Sequence, residues 1–233
     1  VSAIDELVKD DMKPYSQVLQ EANEELGVLN LSNEQLIIKL KEAKARAETL
    51  TGHLKISNEK LREIAFRDGL TGLYNHRYFQ EILDKELSRA MRYGRPFSLI
   101  MFDLDHFKNV NDSYGHRVGD IVLQEISALV LKMVRTNDVA ARYGGEEFAI
   151  IVPETDLKGA AVLAERIRRS VEQMEIVADS VTVRVTISVG AATYLPGAEG
   201  TSKAELLDAA DVAMYNAKNN GRNKLSMAKV GPD

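Results

Sequence analysis

Two rhythms of apolar and polar residues divide the chain. From Met12 to Ile64 apolar positions recur at alternating steps of three and four, through Tyr15, Leu19, Ala22, Leu26, Leu29, Asn33, Leu36, Leu40, Ala43, Ala47, Leu50, Leu54, Ser57 and Leu61. Charged residues fill the positions between, which is the a/d pattern of a coiled coil. A single amphipathic helix packed on a globular domain is the alternative, but it has a broader apolar stripe and a shorter run. Asn33 falls at an a position, where a buried amide fixes register and favours two strands. Pro14 suits a helix start better than an interior. Gly27 and Gly52 weaken the helix locally, and Ser32-Asn33-Glu34-Gln35 has the form of a capping box, which allows a break near residue 31. Residues 1–65 therefore read as a dimerising coiled-coil stalk.

After residue 65 the rhythm alternates between helical and strand periods. Residues 75–92 read as a helix with Phe79, Ile82, Leu83 and Leu87 on one face, and 97–102 as a buried strand. Helix follows at 116–135, a hairpin at 139–143 and 148–152, helix at 157–174, strand at 181–192, helix at 204–219 and a short strand at 224–227. Residues 66–233 thus form an α/β (α+β) domain of ordinary size, without repeats.

Composition narrows what such a domain does. In 233 residues, 45% are hydrophobic, enough for a real core. A net charge of −5 argues against a general nucleic-acid binder. The absence of cysteine suits a reducing cytoplasm and removes thiolate metal sites. No apolar run approaches the ~18 residues of a spanning helix, so no membrane contact is expected of this stretch. The chain begins with Val1, and a longer protein with an upstream domain is expected.

The acids carry the chemistry. In "RYGGEEF" (142–148) two glycines suit a hairpin turn, but Glu146 and Glu147 sit at its tip without a structural reason. The strand at 97–102 runs into "DLDHFKNVND" (103–112), where Asp103 and Asp105 project from one face if the strand continues. An EF-hand is excluded, because its third acid would be Phe107 and its glycine Lys108. Asp105 is expected to cap a helical turn at His106. Asp103 and Glu146, if the strand lies beside the hairpin, make a small set of hard oxygen ligands that suits Mg²⁺. Neither a Walker loop nor a Gly-x-Gly-x-x-Gly is present. Lys108, Lys218 and Arg222 are available for phosphates, although each alone reads equally as surface charge.

Six motifs in order, "DGLTGLYNHRYF" (68–79), "DLDHFKNVND", "GHRVGD" (115–120), "RYGGEEF", "TISVGAA" (186–192) and "ADVAMYNAKNNGRNK" (210–224), make residues 66–228 resemble the GGDEF family of diguanylate cyclases in its GGEEF variant. His76 departs from the arginine common there. The resemblance implies a palm-like domain, a central five-stranded sheet flanked by helices, that condenses two GTP into cyclic di-GMP with release of two pyrophosphates. It implies two Mg²⁺ per active site, with Mn²⁺ as the alternative, held by Asp103, Glu146 and the carbonyl of Leu104. Glu147 is then a supporting ligand or a base, and Lys218, Arg222 and Lys108 face the phosphates. Asn111 and Asp120 contact guanine, and Phe107 lies in the substrate site. One domain holds one GTP, so the stalk's homodimer brings two together. Arg135 and Asp138 of "RTND", with Arg89 from a second domain, match the family's product-inhibitory site. The helix dipole and the following turn are the competing explanation for Arg135 and Asp138. A degenerate nucleotide-binding member and an inert cap on a structural coiled coil are the rival functions. The first usually lacks signature acids, and the second leaves the acid pair unexplained.

Overall fold

The computed structural model describes residues 2–178, 181–196 and 201–230. The chain divides into two units, Val1–Leu61 and Arg62–Asp233. Helix α1 spans Ser2–Phe66 without interruption. Pro14 lies inside it and the expected break near residue 31 does not occur, because an established helix gains a hydrogen bond with each residue it adds, whereas a second start needs a new nucleus. Leu26, Leu36, Leu40, Leu50 and Leu54 of the apolar seam are 55–68% exposed on the single chain. A row of that length is what a second helix covers, and α1 fits a coiled-coil stalk.

The second unit follows in the order α2 (His76–Tyr93), β1 (Phe97–Leu104), α3 (Phe107–Tyr114), α4 (His116–Met133), β2 (Val139–Gly144), β3 (Glu147–Pro153), α5 (Leu157–Glu172), β4 (Ile176–Ala178), β5 (Val181–Val183), β6 (Ile187–Tyr194), α6 (Lys203–Asn219) and β7 (Leu225–Val230). The single strand expected at 181–192 is two. β5 pairs with β4 in a small separate sheet, and β6 joins the main one. The chain leaves one sheet for the other at 184–186, where Arg184 pairs with Glu175 and the Thr186 carbonyl accepts the Asp105 N–H. Helix α3 was not foreseen; its eight residues are too few to show a clear period.

The main sheet runs β2-β3-β1-β6-β7. β1 is antiparallel to both β3 and β6, and β7 is parallel to β6. All eight residues of β1 are buried, as a strand covered on both faces requires. Its alternation sorts the core. Ile100, Phe102 and Leu104 pack with Val122, Ile126 and Ile167 of α4 and α5, and the Phe102 and Phe148 rings stack at 4.9 Å. Leu99 and Met101 pack with Phe79 and Leu83 of α2 and with Leu206, Ala210 and Met214 of α6. Asp103, next in the odd series, therefore falls on the α6 side.

Gly190 sets how near α6 comes. A β-carbon there would lie 2.2 Å from the Ala210 carbonyl oxygen and 2.3 Å from the Met214 nitrogen. The bare backbone lets the helix lie directly on β6.

Candidate active site

Ala210, Met214 and Lys218 are spaced by four, so they share one face of α6. The first two rest on the sheet, and Lys218 emerges where the sheet ends. Its Nζ lies 3.0 Å from Oδ2 of Asp103, whose side chain is almost buried. The hairpin closes the other side. Glu147 stands opposite Asp103 in the β1–β3 register, and the Glu146 carbonyl accepts the Leu104 N–H at 3.3 Å.

Electrostatics marks Glu146. Burial first, and then the charge of Asp103, push the Glu146 carboxyl above its ordinary range, while Lys218 pulls it back. Burial likewise raises Asp103 against the opposing pull of Lys218 and Arg222. Glu147 adds to the rise at Glu146 and also acts on Tyr143, whose hydroxyl is raised by burial and then by that carboxylate. Asp103 and Glu146 are thus a desolvated like-charged pair in need of positive charge, with two cationic side chains beside them. Their oxygens fit a hard divalent ion. Among the described residues no group of three or more acidic, histidine or cysteine side chains gathers as a metal site. A pair of carboxylates suits an ion taking its remaining ligands from water and phosphate, as Mg²⁺ does. Leu104 has a fully buried side chain, so only its backbone can reach such an ion.

Asp105 does not cap the turn at His106, whose own φ is 59° and which makes no side-chain cap. Its carboxylate accepts Thr186 Oγ1 at 2.7 Å, Ser188 Oγ at 2.7 Å and the Asn223 N–H at 3.0 Å. A buried carboxylate with three donors at hand satisfies them rather than a surface helix end. Phe107 is 5% exposed and its side chain packs in the core, so its backbone is the part that can face a ligand. Lys108 is exposed on the first turn of α3.

Asn111 is half-buried on α3, and Asp120 is exposed early in the second turn of α4. Gly119 makes room for the Asn111 side chain. A β-carbon at 119 would lie 2.0 Å from Asn111 Oδ1, so the amide rests against α4 only because that carbon is missing.

The expected product site is less assembled. Arg135 is exposed, but Asp138 accepts the Arg135 N–H at 2.7 Å and so closes its own turn. Arg89 pairs with Glu154 at 2.7 Å, beside Arg95, in a cleft of about 300 Å³.

Several site residues escaped sequence reasoning. Arg142 donates Nε and Nη2 to the Gly145 carbonyl at 3.0 and 2.7 Å, bracing the turn that carries Glu146. Its Nη1 reaches both Asp68 oxygens at 3.2 and 3.3 Å. Burial alone would raise Asp68, but bonds from Thr71 and Arg142 hold it below the ordinary value. Asn75 donates to the Ala65 and Phe66 carbonyls while capping α2, which joins the end of α1 to the domain. Asp68 and Arg142 each sit in a quoted motif, but a pairing across 74 positions leaves no local signal.

A family model described as "Diguanylate cyclase, GGDEF domain" matches residues 65–224. Diguanylate cyclase A of Treponema denticola is 40% identical over 179 residues, 76% of this chain and 48% of that protein. The response regulator PleD of Caulobacter vibrioides is 40% identical over 175 residues, 74% of this chain and 38% of its own length. The chain thus spans less than half of these curated relatives. Among solved structures, the coiled coil and GGDEF domain of DgcB from Caulobacter crescentus in complex with c-di-GMP is similar with a TM-score of 0.72 and 34% identity, over 83% of this chain and 99% of that one. Diguanylate cyclase SiaD of Pseudomonas aeruginosa, in complex with its activator SiaC, gives 0.77 and 32%, over 97% and 87%. With its sheet order, its glycine-glutamate hairpin and these likenesses, the chain belongs to the GGDEF diguanylate cyclase family.

Proposed function

We propose that this chain makes cyclic di-GMP from two GTP with release of two pyrophosphates, with residues 66–233 as the cyclase domain and residues 1–65 as the stalk of a homodimer. The observation that carries the reading is the convergence of Asp103 and Glu146 with Lys218 beside them. Each half-reaction forms a bond from a ribose 3′-oxygen to the α-phosphorus of the other GTP. It breaks the α–β phosphoanhydride, expels pyrophosphate and passes the hydroxyl proton to a base.

Asp103, Glu146 and the Leu104 carbonyl would hold Mg²⁺, two ions per site in our reading, with Mn²⁺ a substitute. Bound there, the metal supplies Lewis-acid charge to the phosphates and acidifies the attacking hydroxyl. Lys218 and Arg222 neutralise charge that grows on the phosphates during transfer. Lys108 adds charge from α3, and Phe107 reaches a phosphate only through its N–H at the helix start. Asn111 and Asp120 select guanine, because a carboxylate accepts from N1–H and the 2-amino group, which adenine lacks. Glu147 is a supporting ligand or the base.

One domain holds one GTP, so turnover needs two domains face to face. The exposed seam of α1 supports the dimer that supplies them. GTP is a cytoplasmic substrate, which locates the domain there. Exposed Arg135, with Asp138 and with Arg89 from a second domain, is the product-inhibitory site we favour. Binding product there requires Arg89 to leave Glu154.

Incubation with GTP and Mg²⁺ tests the reading directly. Cyclic di-GMP and pyrophosphate in a one-to-two ratio are expected. A folded dimer that binds GTP and releases neither would mark a nucleotide-binding relative without turnover.

A further inference from the structure

The loop after α6 has an unusual backbone. Gly221 has φ 100°, and the next two residues, Arg222 and Asn223, also have positive φ, 56° and 48°. Asparagine tolerates that region, but an arginine there is disfavoured and persists only where its surroundings impose it. The surroundings do impose it, through Asn223. Its N–H donates to buried Asp105 at 3.0 Å. Its side-chain oxygen accepts Arg168 Nη1 at 2.5 Å, and its Nδ2 donates to Glu172 at 2.6 Å.

Arg168 is itself clamped. Its side chain is 11% exposed, and it donates to both oxygens of Glu165 at 2.8 and 2.9 Å and to Glu172 at 3.0 Å. Hydrogen bonds from Arg168 hold Glu165 at about 2. The anchors therefore come from three places: the end of β1, the last turns of α5, and the start of β6 through Thr186 and Ser188 on Asp105. They converge on one asparagine, and Arg222 precedes it.

We infer that Asn223, fixed by Asp105, Arg168 and Glu172, is a positioning residue that aims the Arg222 guanidinium at the bound nucleotide's phosphates. No local rule requires an arginine on α5 to grip the residue after Arg222, yet Arg168 does so at 2.5 Å. The inference rests on the nucleotide reading proposed above.

The test measures binding of 3′-deoxyGTP, which lacks the attacking hydroxyl and cannot turn over, to the full chain with Mg²⁺ by calorimetry. Asn223→Gly takes the left-handed backbone without strain and keeps the N–H to Asp105, but loses both side-chain ties. It should weaken binding about tenfold, the scale of one charge-assisted contact. Arg222→Ala should lose a similar factor, and the double variant should be no worse than Arg222→Ala within about twofold, because Asn223 acts through that arginine. Glu172→Ala, which removes one tie to Asn223 and one to Arg168, is the second variant, with a smaller loss and the same cancellation. Additive losses, or wild-type affinity in both variants, would overturn the inference. A wild type that neither binds 3′-deoxyGTP nor converts GTP would remove the nucleotide reading itself, and this is seen before any variant is made.

Discussion

Gly190→Ala is a one-carbon change that removes no charged group, yet it should disable the site. The new β-carbon would sit 2.2 Å from the Ala210 oxygen, 2.3 Å from the Met214 nitrogen and 2.9 Å from the Met214 Cα. These are backbone atoms of a helix, so no side chain can rotate away. Ordinary contact begins near ~3.5 Å, and α6 must therefore withdraw by about 1 Å. Overpacking of this kind costs about 1–3 kcal/mol. At roughly 2–4 °C per kcal/mol for a domain of this size, the melting temperature falls by about 2–12 °C. The activity loss should be disproportionate. Lys218 is one turn beyond Met214 on the same face and sits 3.0 Å from Asp103, so a shift of the helix breaks that contact. A misplacement of ~1 Å at reacting groups costs on the order of 10²-fold in rate. Thermal melting and the rate of cyclic di-GMP formation, measured below the melting transition, give the two numbers. A Gly190→Ala protein with wild-type melting and wild-type rate would refute the claim that bare backbone at β6 sets the position of Lys218.

Glu146→Gln should abolish turnover while melting no lower than wild type in EDTA, since burial and Asp103 already disfavour its charge. Because the folded carboxyl is raised, wild type loses stability relative to this variant as pH climbs from the ordinary glutamate value through the raised one, and the two converge at lower pH; melting curves across pH check the sign. Arg142→Ala should lower the rate at least tenfold by freeing the Gly145 carbonyl, and Asp68→Asn less, with unchanged dimerisation by light scattering; an Arg142→Ala enzyme at full rate would show that the turn holds itself. Removing residues 1–61 should leave a folded monomer whose specific rate rises with protein concentration, and a fully active monomer at nanomolar concentration would contradict the stalk's role. Arg135→Ala should escape inhibition by added cyclic di-GMP, and identical product titrations for it and wild type would place the inhibitory site elsewhere.

Much of this protein was legible along the chain because it is set by local periods. The heptads of α1, the buried run of β1, the glycine turn and the helices of the α/β domain all follow from spacing and side-chain type, and the structure keeps them with ends shifted by a few residues. The acid at 103 was also legible, since a carboxylate ending an apolar strand has no packing reason to be there. Tertiary structure decided what those residues meet. Sequence reasoning assigned Asp105 to a local cap, because a cap is the only partner visible nearby; the fold brought Thr186, Ser188 and Asn223 to it instead. It read 181–192 as one strand, since nothing local shows that its two halves pair with different neighbours. Gly119, Gly190, Asp68, Arg142 and Arg168 were silent for the same reason. Their work lies in contacts between elements distant along the chain, and the free energy of such contacts depends on where a backbone passes in space, which no window of neighbouring residues records.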